Sequence, residues 1–198
     1  MLKIILNRLT PQAENIIAEE QAGFRAGRST TEQIFNLRIL CQEYLQHQQG
    51  IYHVFIDFKK AFDRVWHAAL WATMKKYNIS TNIIQVIKNL SNKATSAVLF
   101  NGSIGDWFRT TVGVRQGCLL SPTLFNIFLE RIMTGASSTA YGMEISAEKT
   151  KLMTNNTSGI NTEIKVNGQK LETVTSFKYL GSVITCLLYT SPEPTRLL

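Results

Sequence analysis

Asp57 and Asp63 stand in one short segment, "HVFIDFKKAFDRVWH" from His53 to His67, where Asp57 ends the apolar run Val54-Phe55-Ile56 and Asp63 follows among basic residues. A carboxylate at the end of a buried strand is held rigidly and can face a cleft. Mg²⁺ takes carboxylate oxygens together with substrate phosphates. A two-ion phosphoryl-transfer centre sets two or three such carboxylates around ions about 3.5–4 Å apart. Asp57 suits that chemistry, and it equally suits capping of a helix that follows. Asp63 reads as a charge in the first turn of that helix, favourable to the dipole and one turn from His67. In "GFRAGRST", Arg25 and Arg28 precede a helix start, where guanidinium forks and free N–H groups bind phosphate; an ordinary basic loop has the same composition. In "GVRQGCLLSP", Gly113 and Gly117 could bring the backbone close to a ligand, with Gln116 as a hydrogen-bonding reader.

The elements that must position these residues alternate between helix and hairpin. A first helix lies within Met1 to Glu20. Ser29 and Thr30, each followed three residues later by Glu32 or Gln33, form a capping-box pattern ahead of Ile34, Leu37, Cys41, Tyr44 and Leu45, with Gly50 as the stop. "YHVFID" reads as a fully buried strand. Phe62, Val65, Trp66, Ala69, Leu70 and Met74 then share one helical face. "STNIIQVIKNL" is a short helix, and "SAVLFNGSIGDWFRTTV" is a hairpin about Asn101-Gly102. Ser121 and Pro122 supply an N-cap and first-position pair for the helix carrying Leu124, Phe125, Phe128, Leu129 and Ile132. "IKVNGQKLE" alternates about a second Asn-Gly turn, and "VTSFKYLGSVIT" is a strand pair. The expected class is α+β, a sheet with helices packed on it.

The 198 residues suffice for a real core, and 44% apolar content excludes a disordered chain. A net charge of +7 suits a polyanionic partner such as nucleic acid. Cys41, Cys118 and Cys186 form no C-x-x-C pair, which argues against structural zinc and suits a reducing, intracellular setting. No apolar run is long enough to span a membrane, and the start has no signal-peptide pattern.

In order, "QAGFRAGRST", "FIDFKKAFDRVWH", "GVRQGCLLSPTLFNIFLERI", "GMEISAEKTKLM" and "FKYLGSVI" resemble the reverse transcriptase of non-LTR (LINE-type) retrotransposons, over most of Met1 to about Thr185. The resemblance implies a partial right-hand polymerase of fingers and palm, with an antiparallel palm sheet flanked by helices. Its divisions would be partial fingers at 1–50, palm at 51–79, a fingers helix and hairpin at 80–112, and the rest of the palm at 113–185. It further implies two Mg²⁺ ions, an RNA template and a DNA primer, with no small-molecule cofactor. Asp57 matches the first metal ligand, and the backbone of Phe58 would help hold the same ion. Phe62 matches the steric gate against a ribose 2′-hydroxyl. Arg25, Arg28, Gln116 and Gly117 match positions beside nucleotide and template. Lys149 matches the proton donor to pyrophosphate, and Phe177, Lys178, Tyr179, Leu180 and Gly181 match the primer grip.

The chain departs from that pattern in one decisive place. The family's hairpin bearing an aromatic-Ala-Asp-Asp sequence should lie between Met133 and "GMEISAEKTK", where intact members have several tens of residues; here the connection is short, an internal deletion near 134–140. The only aspartates are Asp57, Asp63 and Asp106. Glu130 and Glu144 lie nearby without the motif's context. The expectation is therefore a degenerate fragment that binds Mg²⁺ unproductively, with exposed apolar faces around the Asp57 strand. A non-catalytic RNA- or DNA-binding module built on the fingers is the alternative, and an enzyme completed by a partner chain is a third reading. Residues 186–198, "CLLYTSPEPTRLL", do not resemble the family's continuation; they resemble the translation of a sequencing-library adapter and are given no function.

Overall fold

The capping pattern at Ser29 operates as expected in the computed structural model, which describes residues 1–135, 141–155 and 163–185. Ser29 Oγ accepts from the Glu32 N–H and starts a helix over Thr30–Gln46 (α2). Gly50 does not stop it. Gln48 adopts φ 52° and the chain closes with Gln48 N–H to Leu45 O and Gln49 N–H to Tyr44 O, the paired bonds of a Schellman end with glutamine in the left-handed position.

Two compact units emerge, one from residues 1–26 and 59–144, the other from 27–58 and 145–198 as far as described. In the first, four helices share a core: Leu2–Glu14 (α1), His67–Lys76 (α3), Thr81–Asn92 (α4) and Ser121–Met133 (α5). Leu9, Val65, Leu70, Met74, Ile127 and Phe128 are fully buried there. Asn126 and Glu130 on α5 are buried as well, and each has a structural partner. Glu130 accepts from the Ala18 N–H at 3.0 Å, and Asn126 bridges Gln21 Nε2 and Gly23 O, so α5 holds the loop that follows α1.

Ser121 is not the N-cap of α5. Leu120 occupies the N-cap and Ser121 is the first helical residue, and the Ser121 hydroxyl donates to Arg115 O at 2.6 Å, a carbonyl at the turn of its own loop. The helix expected from Phe62 onward also divides. Phe62–Arg64 forms a single 3₁₀ turn, Val65 is extended, Trp66 pairs with Val112, and α3 begins only at His67. Pairing with the 112–114 strand-like segment holds Val65 and Trp66 out of the helix.

The hairpin between α4 and α5 pairs Thr95–Ser96 (β2) with Phe108–Arg109 (β5) and Leu99–Phe100 (β3) with Ser103–Ile104 (β4). Asn101 and Gly102, at φ 47° and 78°, make the turn that Asn-Gly favours.

In the second unit, Tyr52–Phe55 (β1) and Lys151–Thr154 (β6) pair antiparallel, and β6 pairs parallel with Glu172–Val174 (β9). The sheet is thus mixed, not the antiparallel sheet expected. The connection from Thr154 to Glu172 exceeds the dozen or so residues a parallel crossover needs, and it carries its own hairpin, Lys165–Val166 (β7) with Gln169–Lys170 (β8). Ser176–Tyr179 (β10) and Ser182–Thr185 (β11) form the last hairpin, turned by Leu180 and Gly181 at φ 49° and 88°. Met153 and Ile184 centre the core, with Leu37, Phe55, Val174, Phe177 and Tyr179 against them.

β1 is the edge of its sheet, in the order β1-β6-β9, and it is not fully buried: Val54 is 38% and Ile56 51% exposed. Its apolar run reads like a central strand, but among the described residues only β6 lies beside it.

Candidate functional site

Asp57 follows β1 and is fixed through its backbone. Its N–H donates to Thr150 Oγ1 at 3.1 Å, and its C=O accepts from the Ser146 N–H at 2.7 Å. Phe58 then pairs with Ile145. The antiparallel segments thus clamp both sides of Asp57, and Thr150, fully buried, spends its hydroxyl on that clamp. No helix starts here, so Asp57 caps nothing, and no bond to its carboxylate is formed among the described residues.

The carboxylate opens on a cleft of about 680 Å³ between α2 and β1. Gln33, Leu37 and Leu40 form one wall, residues 52–57 the other, and Lys149, Phe177 and Tyr179 complete it. Phe177 stacks on Phe55 at 4.3 Å between centroids, and Tyr179 lies 5.6 Å from the same ring. The alternation of β10 that turns these two rings inward leaves Lys178 exposed. Asp57, Lys149, Phe177 and Tyr179 are therefore brought to one place; Leu180 and Gly181 form the turn beyond it. His53, on the same wall, was not singled out by sequence. Its Nε2 lies 3.3 Å from Cys41 Sγ, and burial holds its pKa below the ordinary 6.5, favouring the neutral ring that accepts from the thiol. Its signal was alternation with Phe55 and Asp57 along the strand.

A two-ion centre does not fit these residues. Among the described residues Asp57 is the one carboxylate lining the cleft, beside the basic Lys149, and no group of three His, Cys, Asp or Glu side chains could hold a metal.

The remaining expected residues divide between the units. Arg28 lies in the second, just ahead of α2. In the first, Arg25 is held by its own surroundings. Its Nε and Nη2 donate to Glu14 Oε2 at 2.9 and 2.8 Å, and its Nη1 donates to Ala18 O and Gln21 O at 2.7 and 3.0 Å. Its side chain is 6% exposed. Phe62 stacks on Phe125 at 4.6 Å and meets Phe24 edge-on at 5.7 Å. Asp63 does not pair with His67. The His67 Nε2 bonds to Gly113 O at 2.7 Å, and Asp63 Oδ1 accepts only a long 3.5 Å contact from Gln116. Gly113 approaches protein backbone: a Cβ there would lie 3.0 Å from Asp63 O, at φ +89°. Gly117 has φ +82° and open space around it. Glu144 pairs with Lys59 and Arg64, and the Lys59 hydrogen bond, more than Arg64, holds its pKa below the usual value.

The mixed helix-and-sheet fold has a solved counterpart. It superposes on apo telomerase from Candida tropicalis, truncated from its C-terminal domain, with a TM-score of 0.66 over 94% of this chain and 44% of that one, at 16% identity. The family model for reverse transcriptase (RNA-dependent DNA polymerase) matches residues 1–140, and the chain belongs to that family. Relatives are RNA-directed DNA polymerases of mobile element jockey, 33% identical over 128 residues in Drosophila funebris and 27% over 207 aligned positions in Drosophila melanogaster. A probable RNA-directed DNA polymerase from the Drosophila melanogaster transposon X-element is 32% identical over 119 residues. These matches take in 64%, 92% and 59% of this chain but only 14%, 22% and 13% of the relatives. Since 92% of 198 residues occupies 207 positions, the second relative carries about 25 residues without counterpart here. No helix among the described residues is long and apolar enough to cross a membrane.

Proposed function

We propose that this chain is a degenerate non-LTR reverse-transcriptase fragment that does not extend a primer. The observation that carries the reading is Asp57 as the lone carboxylate among the described residues that line its cleft, with Lys149 on the same lining. Phosphoryl transfer by two ions needs further carboxylates to hold the second ion and to fix the distance between them. The chain's other aspartates, Asp63 and Asp106, stand apart from any Asp-Asp pair, and the roughly 25 residues by which a jockey relative exceeds this chain support a lost internal segment. The remaining family roles, Phe62 as sugar gate, Phe58 as backbone ligand, Lys149 as proton donor and Phe177 to Gly181 as primer grip, then belong to an intact relative's reaction. So do the fingers and palm boundaries. A Mn²⁺ titration followed by water-proton relaxation tests the reading. The wild type and Asp57→Asn should give the same weak, unsaturated response. Saturable binding that Asp57→Asn abolishes would establish a metal centre and count against it.

The net charge of +7 favours one alternative, a non-catalytic module that holds RNA or DNA. Arg25 is a poor anchor for it, since its donors already meet Glu14 and two carbonyls. On this reading affinity falls steeply with salt, and Arg28→Ala weakens it.

A further inference from the structure

The open edge of β1 has a defined hydrogen-bonding polarity. The Ile51 N–H donates to Asn155 Oδ1 and its C=O accepts from Thr154 Oγ1. The Asp57 N–H donates to Thr150 Oγ1, and its C=O accepts from Ser146. Residues 51 and 57 thus turn their backbone groups toward β6 and the segment leading into it. By the two-residue period of a strand, Val54 and Ile56 turn theirs the opposite way, where no strand lies among the described residues.

We propose that this edge is a self-association site, taking β1 of a second copy antiparallel. Val54 then lies opposite Ile56 of the partner subunit, and His53 opposite the partner subunit's Asp57. In an antiparallel pair, residues whose backbone groups face each other exchange two hydrogen bonds, and the side chains of the intervening pairs approach most closely. With the two-fold axis at Phe55, Val54 and Ile56 form such bonded pairs twice. The close positions set His53 against the partner subunit's Asp57, also twice. With the axis at Val54, Asp57 would face the partner subunit's Ile51, an apolar residue. The carboxylate, without a partner among the described residues of its own chain, selects the first register by polar complementarity.

The surfaces beside the edge suit a second copy. Val54 and Ile56 are 38% and 51% exposed and match each other across a two-fold. Across the cleft, Leu40 of α2 is 51% exposed, and Phe35 and Ile39, elsewhere on the same helix, are 60% and 45% exposed. An axis normal to the sheet brings both copies of α2 to the same face, so helix packing covers apolar surface that strand pairing alone leaves wet. An unrelated strand would satisfy the backbone but not place a donor and a carboxylate at both ends of the pairing.

The test is the mass of the full chain against concentration by analytical ultracentrifugation, with variants. The wild type should dimerise. Ile56→Lys, on an exposed position, should keep the wild-type circular dichroism and raise the dimer dissociation constant at least about tenfold, since an edge lysine opposes strand pairing. Val54→Cys and Ile56→Cys chains, mixed and oxidised, should cross-link to each other, while each alone stays at the wild-type background. A monomer at every concentration, a dimer indifferent to Ile56→Lys, self-cross-linking by Val54→Cys alone, or pairing only with a different protein would each overturn the proposal.

Discussion

Replacing Arg25 by alanine separates a structural from a ligand-binding role for this residue. The guanidinium makes two bonds to backbone carbonyls, Ala18 O and Gln21 O, and a forked contact with Glu14. The carbonyl bonds contribute about 1 kcal/mol each. The contact with Glu14, whose carboxyl is 40% exposed, adds about 1 kcal/mol or less after solvent screening. Because these bonds share one side chain they do not add fully, and Arg25→Ala should cost about 2–3 kcal/mol. With a urea dependence of about 1–3 kcal/mol per molar, the unfolding midpoint should fall by about 1 M or more. Arg25→Lys keeps the charge but not the fork and should fall between the two. Urea titration followed by circular dichroism gives the midpoints, and fluorescence anisotropy on a labelled RNA gives affinity on the same samples. An unchanged midpoint with a large loss of RNA affinity would refute the structural assignment and return Arg25 to the nucleotide site.

Gly113→Ala should destabilise the chain by about 1–3 kcal/mol, since the φ of +89° and the approach of 3.0 Å to Asp63 O both oppose a Cβ. Gly117→Ala carries the φ penalty alone and should cost about 1 kcal/mol; thermal melts compare the two. His53, with a folded pKa below its unfolded 6.5, leaves the extra proton to the unfolded chain, so its contribution is complete above pH 6.5 and is lost as pH falls through the folded pKa. His53→Gln should flatten the decline of the urea midpoint below about pH 6.5. Glu144, likewise depressed, contributes above the unfolded value of 4.5 and loses that contribution as pH falls through its folded pKa. Lys59→Met should move the Glu144 carbon resonance's titration up toward 4.5.

Local signals in the sequence match the structure where the chemistry is local. The capping bond from Ser29 and the turns at Asn101-Gly102 and Asn167-Gly168 depend on neighbours within a few residues. Ser121 had an equally good local signal, and a carbonyl six residues back, Arg115 O, took its hydroxyl instead. Val65 and Trp66 have a helical spacing, and pairing of Trp66 with Val112 overrode it. β1 has the apolar content of a central strand yet lies at an edge, because apolar content says nothing about how many strands lie alongside. The parallel pairing of β6 and β9 likewise depends on a long crossover, not on either strand's composition.

The candidate site was legible only through resemblance. Spacing alone singled out Asp57 and left helix capping open; nothing local tied it to Lys149, Phe177 or Tyr179, which meet it from distant segments of chain. Thr150 and His53 went unmarked because their bonds, to the Asp57 N–H and the Cys41 thiol, are contacts between separate segments.

Primer extension by the purified chain, on an RNA template with a DNA primer and Mg²⁺ or Mn²⁺, tests the central claim most directly. With Asp57 the lone carboxylate among the described residues lining its cleft, no template-dependent product should form above the level given by Asp57→Asn. Product that depends on template sequence and disappears in Asp57→Asn would contradict the account.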